Sequence, residues 1–465
     1  MVGTMAILVL VDILLIILAF FSAAFVRLGY AEASHVLFNE HNFLILLTAF
    51  VSIVLFSSHL MEVYDLDKNV RKREIFVNML LASVSSFALL MIINHLAADL
   101  YVGRGILLIS LLLVVVYQFC WHSVYMTGMH NSRFSKRVLV LGTGPLAARI
   151  GEMASSNKRN YTLAGYALCG NSELPTVATE PAALVIPHDM VIGNSCDLLA
   201  TAQRSLVDAI VVALSEKRGI FPIREVLDCK LNGMYVLDAP TFYEIVNGKL
   251  MLESINPSWF IYSSGFHRTS IFNMCKRVID ILLSTMGLIL TLPFFPLIAL
   301  AIKFDSPGPV FFSQLRVGCK EKPFMLYKFR TMCSDAEAQT GAVWAAKNDS
   351  RVTRLGKFLR NSRIDELPQL FNVLRGDMSF VGPRPERPEF VEKLKEVIPY
   401  YSKRHFIKPG LTGWAQVKYS YGSTIEDAIE KLRYDLYYIK NICPFLDTLI
   451  FLETIKVVLF GRGAR

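Results

Sequence analysis

The sequence predicts a membrane α-helical bundle, a cytoplasmic α/β Rossmann-like domain and an α-rich C-terminal domain held to the membrane by a re-entrant helix. Three observations lead there. Hydrophobic residues make up 53% of the 465 and charged ones 19%, a balance foreign to a wholly water-soluble chain. Four apolar runs crowd the first 130 residues. A fifth run, Ile279 to Ile302, contains two prolines and has basic residues on both flanks. A chain of this length also exceeds one ordinary domain, so several folded units are expected.

The early runs are Met5 to Val26, Phe43 to Val63, Ile75 to Ile93 and Ile106 to Tyr125. Each approaches the roughly 20 residues that a helix needs to cross a bilayer, so 1–130 reads as four spanning helices. The first has too long an apolar core for a cleaved signal peptide, and others follow at once. Lys68, Arg71, Lys72 and Arg73 follow the second helix, and Arg133, Lys136 and Arg137 follow the fourth. By the positive-inside rule those loops, the N-terminus and everything after Arg137 face the cytoplasm. The net charge of +9 cannot by itself choose among nucleic acid, anionic lipid and phosphate-bearing substrates; its placement beside apolar segments favours the last two, and no nucleic-acid partner is expected. Eight scattered cysteines show no zinc spacing and read as reduced core thiols of a cytoplasmic protein.

Residues 131–265 open on KRVLVLGTGPLAARI, a strand, a glycine turn and a helix start, with Gly142, Gly144 and Ala147 at dinucleotide-fingerprint spacing. AALVIP, DAIVVAL and GMYVLD supply further buried strands of a parallel sheet. No acidic residue closes the second strand; Glu173 is the nearest and comes late. Nucleotide binding and a scaffold or regulatory role both stay open. The Tyr-x-x-x-Lys pair of a sugar-nucleotide dehydratase is absent between Arg137 and Leu250.

The fifth run is long enough to span, yet Lys276 and Arg277 precede it and Lys303, Arg316, Lys320 and Lys322 follow. Both ends want the same side of the membrane. Pro293 and Pro296 each remove a backbone donor and crowd the preceding turn, which favours a sharp break. The expectation is a helix that enters one leaflet, turns and returns.

Beyond it, Lys328 and Arg330 alternate on a strand-like run and so share a face, an arrangement suited to a diphosphate. RVTRLGKFLRNSR forms a basic amphipathic helix with Val352, Leu355, Phe358 and Leu359 at helical spacing. Asp365 and Glu366 then open a helix carrying Leu367, Leu370, Phe371 and Leu374, with Pro368 tolerated in its first turn. Capping alone explains an acidic pair at a helix start. The rigid loop Gly382-Pro383-Arg384-Pro385 and the loop KPGLTGWAQV give it different company. PFLDTLIFLETIKVVLF, interrupted by Asp447, Glu453 and Lys456, suits an interfacial helix.

The ordered set KRVID, a hydrophobic segment broken at proline, SPGPVFFSQLRVG, KFRTM, RIDELPQLFNVLRGDMSFVGPRP, KPGLTGWAQV and YDLYYI resembles the bacterial polyprenyl-phosphate hexose-1-phosphate transferases, or monotopic phosphoglycosyl transferases. It runs from about Lys276 to the C-terminus. The earlier regions and FYEIVNGKLMLESINPSWF resemble the large members that initiate exopolysaccharide or capsule repeat units. Leu292 departs from the serine that such proteins often have before the breaking proline. The resemblance implies a monotopic catalytic domain over 266–465 at the bacterial inner membrane. It implies transfer of a sugar 1-phosphate from a UDP-sugar to polyprenyl (undecaprenyl) phosphate with release of UMP.

Asp365 is the nucleophile that the resemblance implies, forming an acyl-phosphate sugar, and Arg360 matches its phosphate-binding arginine. A carboxylate is a weak nucleophile, so the phosphorus must be made electrophilic by Mg2+ and guanidinium groups. Asp365 and Glu366 are the candidate metal ligands, and Glu366 has two open roles, base toward the lipid phosphate or metal support. Lys328, Arg330 and Arg384 are donor-binding candidates, and Asp435 in YDLYYI is a further site candidate. The partners expected are the lipid bilayer, the two substrates and a second copy in a homodimer. The competing readings are a metal-dependent glycosyltransferase using Asp65-Leu66-Asp67, and a non-catalytic scaffold or regulator of polysaccharide assembly.

Overall fold

A computed structural model describes residues 2–39, 43–64, 72–96, 103–130, 135–156, 160–169, 186–214, 221–255, 260, 265–266, 269–333, 349, 351–419, 422 and 424–460. The chain divides into two compact units, Met1–Phe242 and Tyr243–Arg465.

The first unit begins with α1 (Val2–Asn39), α2 (Phe43–Leu60), α3 (Lys72–Leu96) and α4 (Arg104–His130). All four contain stretches long and apolar enough to cross a membrane, so this is a membrane protein in its N-terminal part. α1 is kinked at Gly29, whose φ of 77° lies in the left-handed region. Leu10, Leu14 and Leu18 project outward at four-residue intervals, while Ile16, Phe20, Phe50, Val54, Leu107 and Leu111 meet inside. Phe20 and Phe50 pack with ring centroids 5.0 Å apart. Of the flanking cations, Lys72 and Arg73 lie at the start of α3, and Lys68, Arg71 and Arg133 fall outside the described residues.

There follow β1 (Lys136–Leu141), α5 (Pro145–Ser156), β2 (Tyr161–Leu168), β3 (Val191–Asn194), α6 (Leu198–Arg204), β4 (Ala209–Val212), α7 (Ile223–Leu231) and β5 (Tyr235–Asp238). The strands form one parallel sheet in the order β3-β2-β1-β4-β5. Val138 pairs with Ala209 and Val140 with Val211, all within the core of the sheet. Gly142 has a φ of 126°, and a Cβ there would meet the Ala213 carbonyl oxygen at 2.7 Å, so the turn after β1 requires glycine. Ala147 is fully buried in α5. The expectation for AALVIP is corrected in part: its described end, Ile186 and Pro187, precedes a 3-10 turn, and the strand is β3. Glu173 and the first four residues of AALVIP lie outside the described residues. No disulfide joins the eight cysteines; Cys169 and Cys229 are buried and Cys443 packs partly buried against the second unit's core, while Cys120, Cys196, Cys275 and Cys333 are exposed, so the core-thiol expectation is corrected for those four.

After α8 (Ala239–Asn247) the second unit runs through α9 (Ser270–Thr291), a 3-10 turn at Leu292–Phe294, and α10 (Phe295–Asp305). Pro293 lies in that turn and Pro296 in the first turn of α10, where a missing N–H leaves no helical bond unmade. The break is therefore where the prolines place it. Ser270–Asp305 is a fifth segment long and apolar enough to cross. Asp280, Ser284 and Leu288 form its buried stripe, four residues apart, while Val278, Leu282, Met286, Ile289 and Leu290 are exposed.

The remaining elements are β6 (Phe311–Val317), β7 (Pro323–Phe329), α11 (Arg354–Asn361), α12 (Gln369–Arg375), β8 (Ser379–Val381), α13 (Pro388–Val397), β9 (Gly410–Thr412), α14 (Trp414–Lys418), α15 (Ile425–Lys440) and α16 (Pro444–Phe460). β6 and β7 form an antiparallel hairpin and β8 pairs with β9 in parallel. The core gathers Phe390, Trp414, Leu432, Leu436, Tyr438 and Ile450. Burying a leucine such as Leu436 contributes about 1.5–3 kcal/mol. This core sits under the loops that carry Arg384.

Candidate active site

Asp365 and Glu366 occupy a 3-10 turn, Ile364–Glu366, immediately before α12. Both are buried. The turn is sharp because Arg363, the residue before it, adopts a left-handed conformation with φ 59° and ψ 13°. The preceding α11 is capped by Thr353, whose Oγ1 accepts from the Gly356 N–H at 2.9 Å. In α11 Leu359 is buried and Phe358 is 61% exposed, so the amphipathic reading holds with Phe358 on the outer side.

Three neighbours fix the dyad. Asn372, 1% exposed on α12, accepts from the Tyr327 N–H at 3.2 Å and donates to the Met325 carbonyl at 2.7 Å. It thereby acts as an extra strand partner for β7 and sets the register of Lys328. The Gly-Pro loops hold each other: Gly382 N–H donates to Thr412 O and Gly410 N–H to Pro383 O, both at 2.8 Å. A Cβ on Gly382 would meet the Lys408 carbonyl, so this close approach excludes any side chain. Arg404 then donates to the Arg384 carbonyl at 3.0 Å and to Asp435 at 2.8 Å, inside the protein.

The outcome is an asymmetric pair of carboxylates. Glu366 Oε1 accepts from Lys328 Nζ at 2.9 Å and from Arg384 at 2.6 Å, and Arg363 lies 3.6 Å from Oε2. Asp365 has Lys328 Nζ at 3.8 Å. Burial alone would raise Glu366, but the charges of Arg384, Lys328 and Arg363 outweigh it and hold the carboxyl well below its ordinary range. For Asp365 burial wins, and its carboxyl is raised despite Lys328, Arg384 and Arg360. Burial likewise lowers the Lys328 ammonium, with Arg384 adding to the effect and Glu366 opposing it.

Of the residues picked from sequence, Asp365, Glu366, Lys328 and Arg384 come together. Arg360 donates to Thr331 Oγ1 at 2.9 Å and is close enough for its charge to act on Asp365. Arg330 follows β7 and continues its ladder, its N–H donating to the Val310 carbonyl at 2.9 Å, and its guanidinium donates to the Ser306 and Pro307 carbonyls and to Ser306 Oγ, bracing the chain after α10. Asp435 is 2% exposed and acts on Arg404, one step removed from the dyad. Gly142, Gly144 and Ala147 belong to the first unit's β1–α5 turn. Asp65-Leu66-Asp67 lies outside the described residues.

Sequence reasoning missed Arg363, Asn372, Arg404 and Asp280. Asn372 left a signal, a polar residue in an otherwise apolar run. Asp280 did too, as the lone carboxylate of the apolar run Ile279 to Ile302; it accepts from Phe380 N–H at 2.8 Å and Ser379 Oγ at 3.0 Å.

Residues 271–461 match the family model described as bacterial sugar transferase. A UDP-glucose:undecaprenyl-phosphate glucose-1-phosphate transferase of Escherichia coli is 34% identical over 339 residues, 70% of this chain and 69% of that protein. The chain belongs to the bacterial sugar transferase family. The sequence resemblance is thus borne out, and the protein is a transferase. A UDP-N-acetylgalactosamine-undecaprenyl-phosphate N-acetylgalactosaminephosphotransferase of Aeromonas hydrophila is 42% identical over 237 residues, 51% of this chain and about half (55%) of that relative's length. A Bacillus subtilis protein, described as a putative undecaprenyl-phosphate N-acetylgalactosaminyl 1-phosphate transferase, is 53% identical over 137 residues, 30% of this chain and 76% of its own. The family match includes every residue of the dyad cluster.

Proposed function

We propose that this transferase moves a sugar 1-phosphate from a UDP-sugar to undecaprenyl phosphate at the cytoplasmic face of the bacterial inner membrane, through an intermediate on Asp365. The asymmetry of the dyad carries the reading. Asp365 is the carboxylate that the local cations leave least engaged, with its nearest ion-pair partner among the described residues at 3.8 Å. It attacks the sugar-bearing phosphorus; an O–P bond forms, the diphosphate bridge breaks, and UMP leaves with the electron pair. A phosphate oxygen of the lipid then attacks the same phosphorus, breaks the acyl-phosphate bond and frees Asp365. Lys328 and Arg384 neutralise charge that builds on the phosphoryl oxygens. Glu366, held low by these cations, is a poor base in the free enzyme, which favours a role in orienting them.

Magnesium suits this donor set, since it takes one or two carboxylates and completes its shell with substrate phosphates and water. Asp365 is the better ligand, because Glu366 is already engaged by Lys328 and Arg384. When bound, the ion draws charge from the donor diphosphate.

The membrane segment Ser270–Asp305 is read as re-entrant, supported by the turn at Leu292–Phe294 and the basic flanks. The parallel sheet is read as Rossmann-like, supported by its strand order and by Gly142 at the first turn. The names of the relatives support both substrates, and the first membrane step of a polysaccharide repeat unit is the place we assign to the transfer.

The test uses full-length protein in nanodiscs with magnesium, undecaprenyl phosphate and a panel of UDP-sugars. UMP release is expected, with a phosphosugar trapped on protein when the lipid is omitted. Asp365→Asn should lower transfer about a thousandfold or more and abolish trapping. Release of UDP would point to a glycosyltransferase, and full activity in Asp365→Asn would end the nucleophile assignment.

A further inference from the structure

Glu366 is flanked by more positive charge than it can use. Lys328, Arg360, Arg363 and Arg384 surround two carboxylates, a surplus of two positive charges if all are ionised. A nucleoside diphosphate ester carries two negative charges at neutral pH, so the surplus matches the donor. Burial is also graded. The side chains of Asp365 and Glu366 are 8% and 9% exposed, whereas those of Lys328, Arg363 and Arg384 are 19%, 25% and 30% exposed. An incoming anion meets the cations first.

Within this ring Arg363 is distinctive. It holds Glu366 from the other oxygen, at 3.6 Å, longer than the contacts of Lys328 and Arg384. Its left-handed backbone, two residues before Asp365, is unusual for a side chain of its size. A strained residue kept beside the candidate nucleophile calls for a use of its side chain, since glycine or asparagine would make the same turn with less strain.

We propose that Arg363 is a phosphate-binding residue for the donor, the third arm of a cradle with Lys328 and Arg384. In the free enzyme the cradle closes on Glu366, which orients it; the donor's diphosphate joins that carboxylate and takes up the surplus charge of the three cations. The inference rests on the reading of the chain as a UDP-sugar transferase for the donor's identity, while the anion chemistry stands on the site itself.

Three variants separate charge from turn geometry. Arg363→Asn and Arg363→Gly tolerate the left-handed backbone but lack the guanidinium, and Arg363→Lys keeps the charge. Each is compared with wild type for the dissociation constant of inorganic pyrophosphate, measured by calorimetry in nanodiscs, and for KM and kcat of UDP-sugar. Loss of a charge-assisted hydrogen bond predicts binding weaker by about tenfold or more for Asn and Gly, with partial rescue by Lys. KM should rise more than kcat falls, and melting temperature should hold or increase. Pyrophosphate binding within twofold of wild type in both neutral variants would overturn the proposal, as would a loss that tracks melting temperature alone. Should wild type release no UMP from any UDP-sugar, the transfer reading fails while the pyrophosphate comparison still decides the cradle.

Discussion

The four-helix region and the dyad region both take carboxylates out of water, and they do it in opposite ways. Asp12 on α1 is fully buried, with the Gln118 amide donating to Oδ2 at 3.0 Å and His122 Nε2 3.1 Å away, both from α4. No arginine or lysine takes part in these contacts. The cluster ties two helices together by hydrogen bonds that match donors to one acceptor group. Around Asp365 and Glu366 the compensation is ionic, excessive and partly open to solvent. A balanced cluster closes on itself and holds structure; an unbalanced one at a surface is ready for a ligand. Asp435 stands between them, matched to one arginine and sealed.

Removing one partner from a sealed pair tests this contrast most severely. Asp435→Ala should destabilise the second unit by about 3–5 kcal/mol, because Arg404 would remain as a buried unpaired charge, and chemical denaturation followed by tryptophan fluorescence would register it. A loss below about 1 kcal/mol would mean that Arg404 finds water, and the distinction between sealed and open would weaken.

At the open cluster the expected loss is in chemistry. Arg384→Gln removes a charge-assisted bond worth about 1.5–3 kcal/mol, so kcat/KM should fall roughly ten- to a hundredfold with little change in melting temperature. The pH profile sharpens this. Asp365 must be ionised to attack, so activity is lost as pH falls through its raised pKa; Arg384 holds that value down, and its removal should move the acidic limb upward. A limb that stays in place would separate Arg384 from the nucleophile's environment.

The smallest effect belongs to the bundle. Asp12→Asn keeps the shape but sets an amide against the Gln118 amide, and should cost about 1 kcal/mol in thermal stability while leaving transfer per folded molecule unchanged. A large drop in turnover with intact folding would make that cluster part of the enzyme's working parts and erase the comparison.

Much of the architecture was legible because hydropathy and proline act locally. The five apolar segments, the break at Pro293 and the strands KRVLVL and DAIVV follow from residues adjacent in the chain. The acidic pair was legible through its neighbours, as were Lys328 and Arg384. The contacts of Arg330 were not legible: its guanidinium is taken up by the Ser306 and Pro307 carbonyls more than 20 residues back in the chain. Arg404 and Asn372 act through backbone groups 20 and 45 residues away, and no local pattern announces such partners. Strand β3 escaped because its four residues are half exposed and carry little apolar signal.

The membrane segment also does more than anchor. Arg277 donates to the last carbonyls of α12 at 2.7 Å, Asp280 grips β8, and Gly287 lets Leu370 approach closely. The apolar helix is thus tied directly to α12 and β8, the elements that follow the dyad. Under the proposed re-entrant insertion, bilayer thickness would become a coordinate of the reaction: thinning or thickening the leaflet would raise or lower Asp365 relative to the plane of the lipid headgroups, as a float sets the depth of a hook.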